Sequence, residues 1–296
     1  MKIKLRAGDR IFYIANFILT TVIVLVIFYP LWFVICASVS DQVRVFQDPA
    51  LLLPRGLNFE SYIRTIGHKD IWIGFRNTVV YTLTGTFINL LLTVFAAYPL
   101  SRPDFAGRNV LTFILTFTMF FSGGMIPTYL VVDKLGMINK IWALIIPNAI
   151  NFTNVIIVRT YFTNSVPFEM QEAAQIDGCG SFRLLFSIIA PLSTPILAVI
   201  TLYYSVGHWN SFFTALLYIY DRAKYPLQMF LRELLIQANM DSLVEFAESQ
   251  QRFEQLIQKE GMKYAIVVIS SLPFVVLFPF FQKYFSKGVM MGAIKG

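Results

Sequence analysis

The sequence predicts an all-α membrane protein with six transmembrane helices. Three observations lead there. The 296-residue chain is 56% hydrophobic and 14% charged, with a mean hydropathy of +0.63, a composition that soluble domains of this size rarely have. Six apolar runs are each long enough to cross the hydrocarbon, which takes about 20 residues in a helix. Short connecting segments dense in Lys and Arg alternate with longer ones in which acids and bases balance. The net charge of +7 therefore reads as basic residues at the inner ends of spans, and no nucleic-acid partner is called for.

Residues 1–10 carry Lys2, Lys4, Arg6 and Arg10, a basic amino-terminal flank. A single transmembrane domain is expected over 11–285, with spans near 11–36, 71–98, 110–132, 141–162, 184–206 and 264–285. The first run is too long for a cleavable signal, and no small-residue cleavage site follows it. Between spans one and two, PRGLNFESYIRTI reads as a small folded piece outside the membrane. Arg76, near the start of span two, can snorkel to the interface. The third run is interrupted by Ser122-Gly123-Gly124 and Pro127. The fourth is polar for a lipid-embedded helix, with Asn148, Asn151, Thr153 and Asn154. An outer loop is expected over 207–263, helix-prone in its second half, and a tail over 286–296. Six spans put both termini on one side, with the SRPDFAGR loop and the 163–183 loop. The excess of bases there places that side in the cytoplasm.

The most informative stretch is VPFEMQEAAQIDGCGSFRLLFSIIAPLSTP, residues 166–195. It reads as helix, turn, helix. Ser165 is a candidate cap and Pro167 fits a first turn. Glu169 and Glu172 share a face and suit the positive end of the helix dipole. Ala173 and Ala174 let another surface approach the backbone. Gly178 and Gly180 can take the left-handed conformation that stops a helix. Pro191 and Pro195 should bend the helix that follows.

The spacing of Glu172-Ala173-Ala174, Gly178, Ile188 and Pro191 resembles the EAA loop of ABC-importer permeases. Ala190 stands where that family usually has Leu. More of the chain follows: SGGMIPTY at 122–129, GHWNSFFTALLYIYD at 207–221, YPLQMFLRELL at 225–235 and LPFVVLFPFFQKYFSKGVMMGAIKG at 272–296. These are similar to the shorter permease of the maltose-type carbohydrate importers, in a branch resembling alginate and complex-oligosaccharide permeases.

The resemblance implies the type I ABC-importer permease fold and an oligosaccharide cargo, alginate or another polysaccharide fragment included. It implies a heterodimer with a homologous second permease, two cytoplasmic ATPase subunits and an extracytoplasmic sugar-binding protein, in the inner membrane of a bacterium. It assigns ATPase coupling to Glu169, Glu172, Ala173, Ala174, Asp177, Gly178 and Pro191. It brings the tail residues Lys287, Gly288, Lys295 and Gly296 to the ATPase dimer. No cofactor is expected on this chain; ATP and magnesium fall to the partners, since the sequence has no G-x-x-x-x-G-K-S/T loop.

The plainer reading of Glu172 is a first-turn charge, worth about 0.3–1 kcal/mol. Asn148, Asn151 and Asn154 recur every three residues, so they share a helix face, and they either line a polar path or bond neighbouring helices. Tyr203, Tyr204 and Trp209 stack on sugar rings or belong to an interfacial belt. His208, Trp209 and Asn210 are candidate contacts for the binding protein or plain loop residues. Cys36 and Cys179 fall in different compartments, and His68 and His208 lie far apart, so neither a disulfide nor a metal site is indicated. No catalytic constellation appears, and the chain reads as non-enzymatic. The alternative, an ion-coupled secondary transporter, needs a coupling site, usually an intramembrane Asp, Glu or His, and an internal repeat; no acid falls within a span and no repeat is evident.

Overall fold

A chain in hydrocarbon must satisfy its backbone groups within each segment, so helices are the economical solution. The computed structural model describes residues 7–47, 51–243 and 250–288, and the regular elements among them are all helical. α1 (Ala7–Ser38) leads through two short helices, α2 (Gln42–Gln47) and α3 (Glu60–Gly67), to α4 (Lys69–Ser101). The next three spans are broken. α5 (Arg108–Phe120) and α6 (Met125–Lys134) meet at 112° across the Ser-Gly-Gly interruption. α7 (Trp142–Ile145) continues as a 3-10 turn (Ile146–Asn148) and meets α8 (Phe152–Ser165) at 54°. The short α9 (Phe168–Ile176) comes next. α10 (Ser181–Leu184), a π-helical turn (Leu185–Ile189) and α11 (Ala190–Leu192) then bend by 86° into α12 (Thr194–Trp209), beside Pro191 and Pro195. α13 (Phe212–Tyr218), α14 (Leu227–Leu243) and α15 (Gln250–Gly288) follow. With each broken pair counted as one crossing, the apolar helices make six.

The segment expected as an outer loop is therefore largely helical: α12 runs on to Trp209, and α15 starts at Gln250, well before 264. Glu and Gln, abundant in its second half, are good helix formers, in keeping with the helix-prone composition there.

The chain divides into two compact units. In the first, residues 1–69 and 231–271, every residue of α1 from 8 to 31 is exposed, almost all of them apolar. Water does not tolerate such a surface; lipid does. The C-terminal end of α1 is covered by a small cap. Cys36, Ala37, Val45 and Leu51 are buried together against Trp32, Phe33 and Tyr264. Gln42 donates to the Ala37 carbonyl at 2.9 Å, and the Trp32 indole donates to the Leu52 carbonyl at 2.8 Å.

The second unit, residues 70–230 and 272–296, is built around α4. Its Thr78, Thr82, Thr86, Asn89 and Thr93 recur at spacings of four, four, three and four and are all buried, so they form one polar stripe. Three of its hydroxyls are bonded: Thr78 accepts from the Leu227 amide at 2.8 Å, Thr86 meets Ser205 at 3.3 Å, and Thr93 meets the Tyr204 hydroxyl at 2.7 Å. In membranes each such bond contributes about 0.6 kcal/mol on average. The stripe works because α4 approaches α12 closely at Gly85, where an added Cβ would overlap the His208 ring. Leu90, Val94, Ala97, Tyr98 and Leu100 join Phe152, Val155, Val158, Leu184, Leu185 and Ile200 in the main core, which ties α4, α8, α10 and α12 together.

Gly85→Leu should therefore overpack the α4–α12 contact and cost about 1–3 kcal/mol. The check is the thermal midpoint of the detergent-purified protein, with Gly8→Leu as control because open space surrounds Gly8. Equal midpoints for the two variants would count against the close approach.

Candidate functional site

α9 is nine residues long, too short to be stable on its own in water. Its termini and one face supply what length does not. Pro167 occupies the N-cap position with φ −56° and ψ 136°. The cap expected from Ser165 is not made, because α8 runs through Ser165 and Val166 is already extended. The helix stops in a Schellman turn. Gly178 takes φ +77°, the Cys179 amide donates to the Ala174 carbonyl at 2.9 Å, and the Gly178 amide donates to Gln175 at 3.0 Å. Ala174 and Cys179, the pair that this motif brings together, both pack against the main core. Gly180 is extended instead, with φ −69°, and leads directly into α10.

Inward, α9 presents Met170, Ala174 and Gln171, and among its residues only Gln171 is fully buried. Outward, Glu169, Glu172, Ala173 and Ile176 are exposed, an i, i+3, i+4, i+7 stripe along one face. Ile176 is 86% exposed. Neither glutamate bonds any described residue. Glu169 is in the first turn and gains from the dipole. Glu172 is a turn further on, where that effect has faded, so the first-turn explanation does not fit it. Asp177 is the exposed C-cap, at the end of the dipole that disfavours an acid. The free face thus combines carboxylates with a bare isoleucine.

Gln171 is held by Arg102, at the exit of α4. The Arg102 side chain is 9% exposed. It donates from Nε and Nη2 to both Asp104 oxygens at 2.8 Å, and from Nη1 to Gln171 Oε1 at 3.2 Å and the Tyr98 hydroxyl at 3.4 Å. Its carbon lies 5.9 Å from the ring centres of both Tyr98 and Phe168. The Arg102 hydrogen bonds hold the Asp104 carboxyl below the usual carboxylate range. A lowered folded-state value means that the pair's contribution is complete above the unfolded value and is lost only as pH falls through the lowered one. The clamp is therefore intact at neutral pH.

A cavity of about 520 Å³ opens on the other part of the same unit. Asn89, Asn148, Asn151, Asn154, Tyr203, Tyr204, His208, Asn210, Ser211 and Thr214 supply its polar lining. The three asparagines do not share a helix face, as their spacing had implied. Asn148 ends the 3-10 turn, Asn151 caps α8, and Asn154 is in its first turn; the break between α7 and α8 makes them converge. That break frees backbone groups, and the site satisfies them. Asn151 accepts from the Asn154 amide at 3.3 Å, and its own amide donates to the Tyr204 hydroxyl at 3.3 Å. Asn89 Oδ1 and His208 Nε2 are buried without partners among the described residues.

No family model matches the chain. Its relatives decide the matter. It is 38% identical over 295 residues to the polygalacturonan/rhamnogalacturonan transport system permease protein YtcP of Bacillus subtilis, covering 99% of this chain and 100% of that one. It is 37% identical to Protein LplC of the same organism, covering 98% and 97%. It superposes with a TM-score of 0.84 and 33% identity on a crystal structure of a bacterial ABC transporter involved in the import of the acidic polysaccharide alginate, covering 96% of this chain and 100% of that chain. The chain belongs to the family of ABC-transporter sugar permeases.

In this permease, the residues singled out for coupling cluster on α9 and its Schellman turn, apart from Pro191, which sits in α11 at the bend before α12. The asparagines and both tyrosines line the cavity. The contact with a binding protein expected of Trp209 and His208 needs correction. Trp209 is 5% exposed, with its ring edge-on to Phe75 and Phe274, and His208 is 6% exposed against Gly85. Of the three, Asn210 alone is exposed. Lys287 and Gly288 end α15, while Lys295 and Gly296 lie outside the described residues. Sequence reasoning missed Arg102, Gln171 and Asn89. The four-residue rhythm of Thr and Asn in span two was the signal available for Asn89.

Gly178→Val should cost about 1–2 kcal/mol, the penalty of a side chain in the left-handed region, and Gly178→Asn less. Thermal midpoints of the purified protein test this ordering; a Val variant as stable as wild type would contradict the turn.

Proposed function

We propose that this chain is one half of a heterodimeric, alternating-access importer of oligosaccharides derived from an acidic polysaccharide of the pectin or alginate type. The observation that carries the reading is the arrangement of α9. One face is locked to the core that also frames the cavity, and the opposite face, Glu169, Glu172, Ala173 and Ile176, is bare. In this proposal the bare face docks in a socket of a cytoplasmic ATPase subunit. Carboxylates followed by a bare isoleucine at the C-terminal end of the helix fit a socket that sets basic groups beside an apolar patch. Ala173 keeps the approach close.

The cavity is the share of the sugar path that this chain provides. Amides and phenols exchange hydrogen bonds with hydroxyls without a formal charge, and Asn148, Asn151, Asn154 and Tyr203 bring such groups to the wall. Tyr203, half exposed on the wall, offers a face for an apolar sugar surface. A secondary-transporter reading gains no support from kinship, since the relatives and the structural neighbour are ABC-transporter proteins.

The remaining assignments follow from charge and kinship. The side bearing α9, the SRPDFAGR loop and both termini faces the cytoplasm by its excess of bases. The membrane is the bacterial inner membrane. ATP and magnesium are handled by two ATPase subunits, a second permease completes the pathway, and an extracytoplasmic binding protein supplies the sugar. The names of the relatives support the cargo class: polygalacturonan/rhamnogalacturonan for YtcP, alginate for the structural neighbour.

Affinity purification from native membranes, read by mass spectrometry, tests this. The wild-type chain should bring down a second six-span permease and an ATPase. Glu172→Lys reverses a charge at the seat, where like charges cost several kcal/mol; ATPase recovery should fall about tenfold or more while membrane insertion is unchanged. Normal recovery in that variant would remove Glu172 from the seat. A second variant separates the two sites: Asn154→Leu should leave ATPase recovery intact and lower uptake of oligogalacturonates and alginate oligosaccharides. Undiminished uptake would exclude Asn154 from the path.

A further inference from the structure

The Arg102 clamp sits at neither the docking face nor the cavity, yet it touches the elements that frame both. We infer that Arg102 is a positioning residue that ties α9 to the end of α4, so that movement of α9 reaches the helix lining the cavity. The inference rests on the reading of α9 as the ATPase seat.

The geometry argues for a mechanical link rather than a local patch. α4 is one continuous helix from Lys69 to Ser101. Asn89, on the cavity wall, and Arg102, at the helix exit, are thirteen residues apart, about 20 Å along a helix. The exit end is fixed by cations on otherwise orphaned carbonyls: Arg159 Nε donates to Leu100 at 2.9 Å, and Arg108 Nη1 to Arg102 at 3.4 Å. Such carbonyls at a helix C-terminus favour positive partners. On α9, the partner is the one fully buried residue, Gln171, whose amide oxygen is costly to bury unbonded.

The residue type is decisive. A guanidinium is a planar fork with five donors. One edge closes on Asp104, which balances the charge, and the other reaches Gln171 and Tyr98. Phe168, the first residue of α9, lies within cation–π distance of the same group. A lysine ammonium keeps the charge but cannot serve both edges. A packing role alone would need the alkyl stem; a transmission role needs the fork.

The test uses the complex with its ATPase partners in lipid nanodiscs and needs no sugar. A spin label on Tyr203→Cys, in a Cys36→Ala, Cys179→Ala background, reports on the cavity wall when ATP and vanadate are trapped. Arg102→Lys should keep the ATPase subunits and the thermal midpoint but reduce the label's response about tenfold, the scale of one charge-assisted hydrogen bond. Arg102→Lys with Gln171→Glu, which replaces that bond by an ion pair, should recover most of the response. A wild-type response in both Arg102→Lys and Arg102→Met would overturn the inference. So would a fall in response that only tracks a lower midpoint and is not rescued by Gln171→Glu. Absence of ATPase from the wild-type complex would overturn the seat reading, and the inference with it.

Discussion

The structure depends on how a nine-residue helix is kept rigid with one side in the open. α9 cannot draw stability from length. Its C-terminal end is closed by the Schellman turn at Gly178, its inner face is packed through Met170 and Ala174, and its single buried polar side chain is answered by Arg102. What remains outward is a short stripe that no described residue satisfies. A surface of that kind is stable only because the opposite face is so firmly bound.

The cavity follows from a second constraint. Hydrocarbon tolerates irregular backbone only where protein or a wet path surrounds it. The break between α7 and α8 is at the cavity, where Asn151 and Tyr204 take up freed backbone donors. Broken helices at a binding path are a recurring transporter device. The polar stripe of α4 joins the two regions, since Thr93 bonds Tyr204 near the cavity and the same helix ends in the Arg102 clamp.

Much of this was legible in the sequence, and for physical reasons. Span number follows from apolar length, and the loop from a rigid spacing of Glu, Ala and Gly; the positive φ of Gly178 and the bend beside Pro191 and Pro195 are local chemistry. The helix-prone second half of 207–263 is helical in α14 and the start of α15, whereas α13 in its aromatic first half had no signal in the composition. The three asparagines were assigned a common face, although a break in the helix brings them together; three-residue spacing cannot tell the two apart. Trp209 was read as a surface contact because an aromatic at a span end is usually interfacial, yet Phe75 and Phe274 enclose it. Arg102 and Gln171 were invisible for a simpler reason. They are 69 residues apart, and nothing in either segment marks a basic-loop arginine as buried.

The central claim is that the bare face of α9 is the seat of an ATPase. The most direct measurement places a photoreactive amino acid at Ile176 or at Gln171 and irradiates native membranes. The account predicts a covalent adduct between this chain and an ATPase subunit from Ile176, and none from Gln171, which points into the core. An assembled complex that yields no ATPase adduct from Ile176, or equal adducts from both positions, would contradict it.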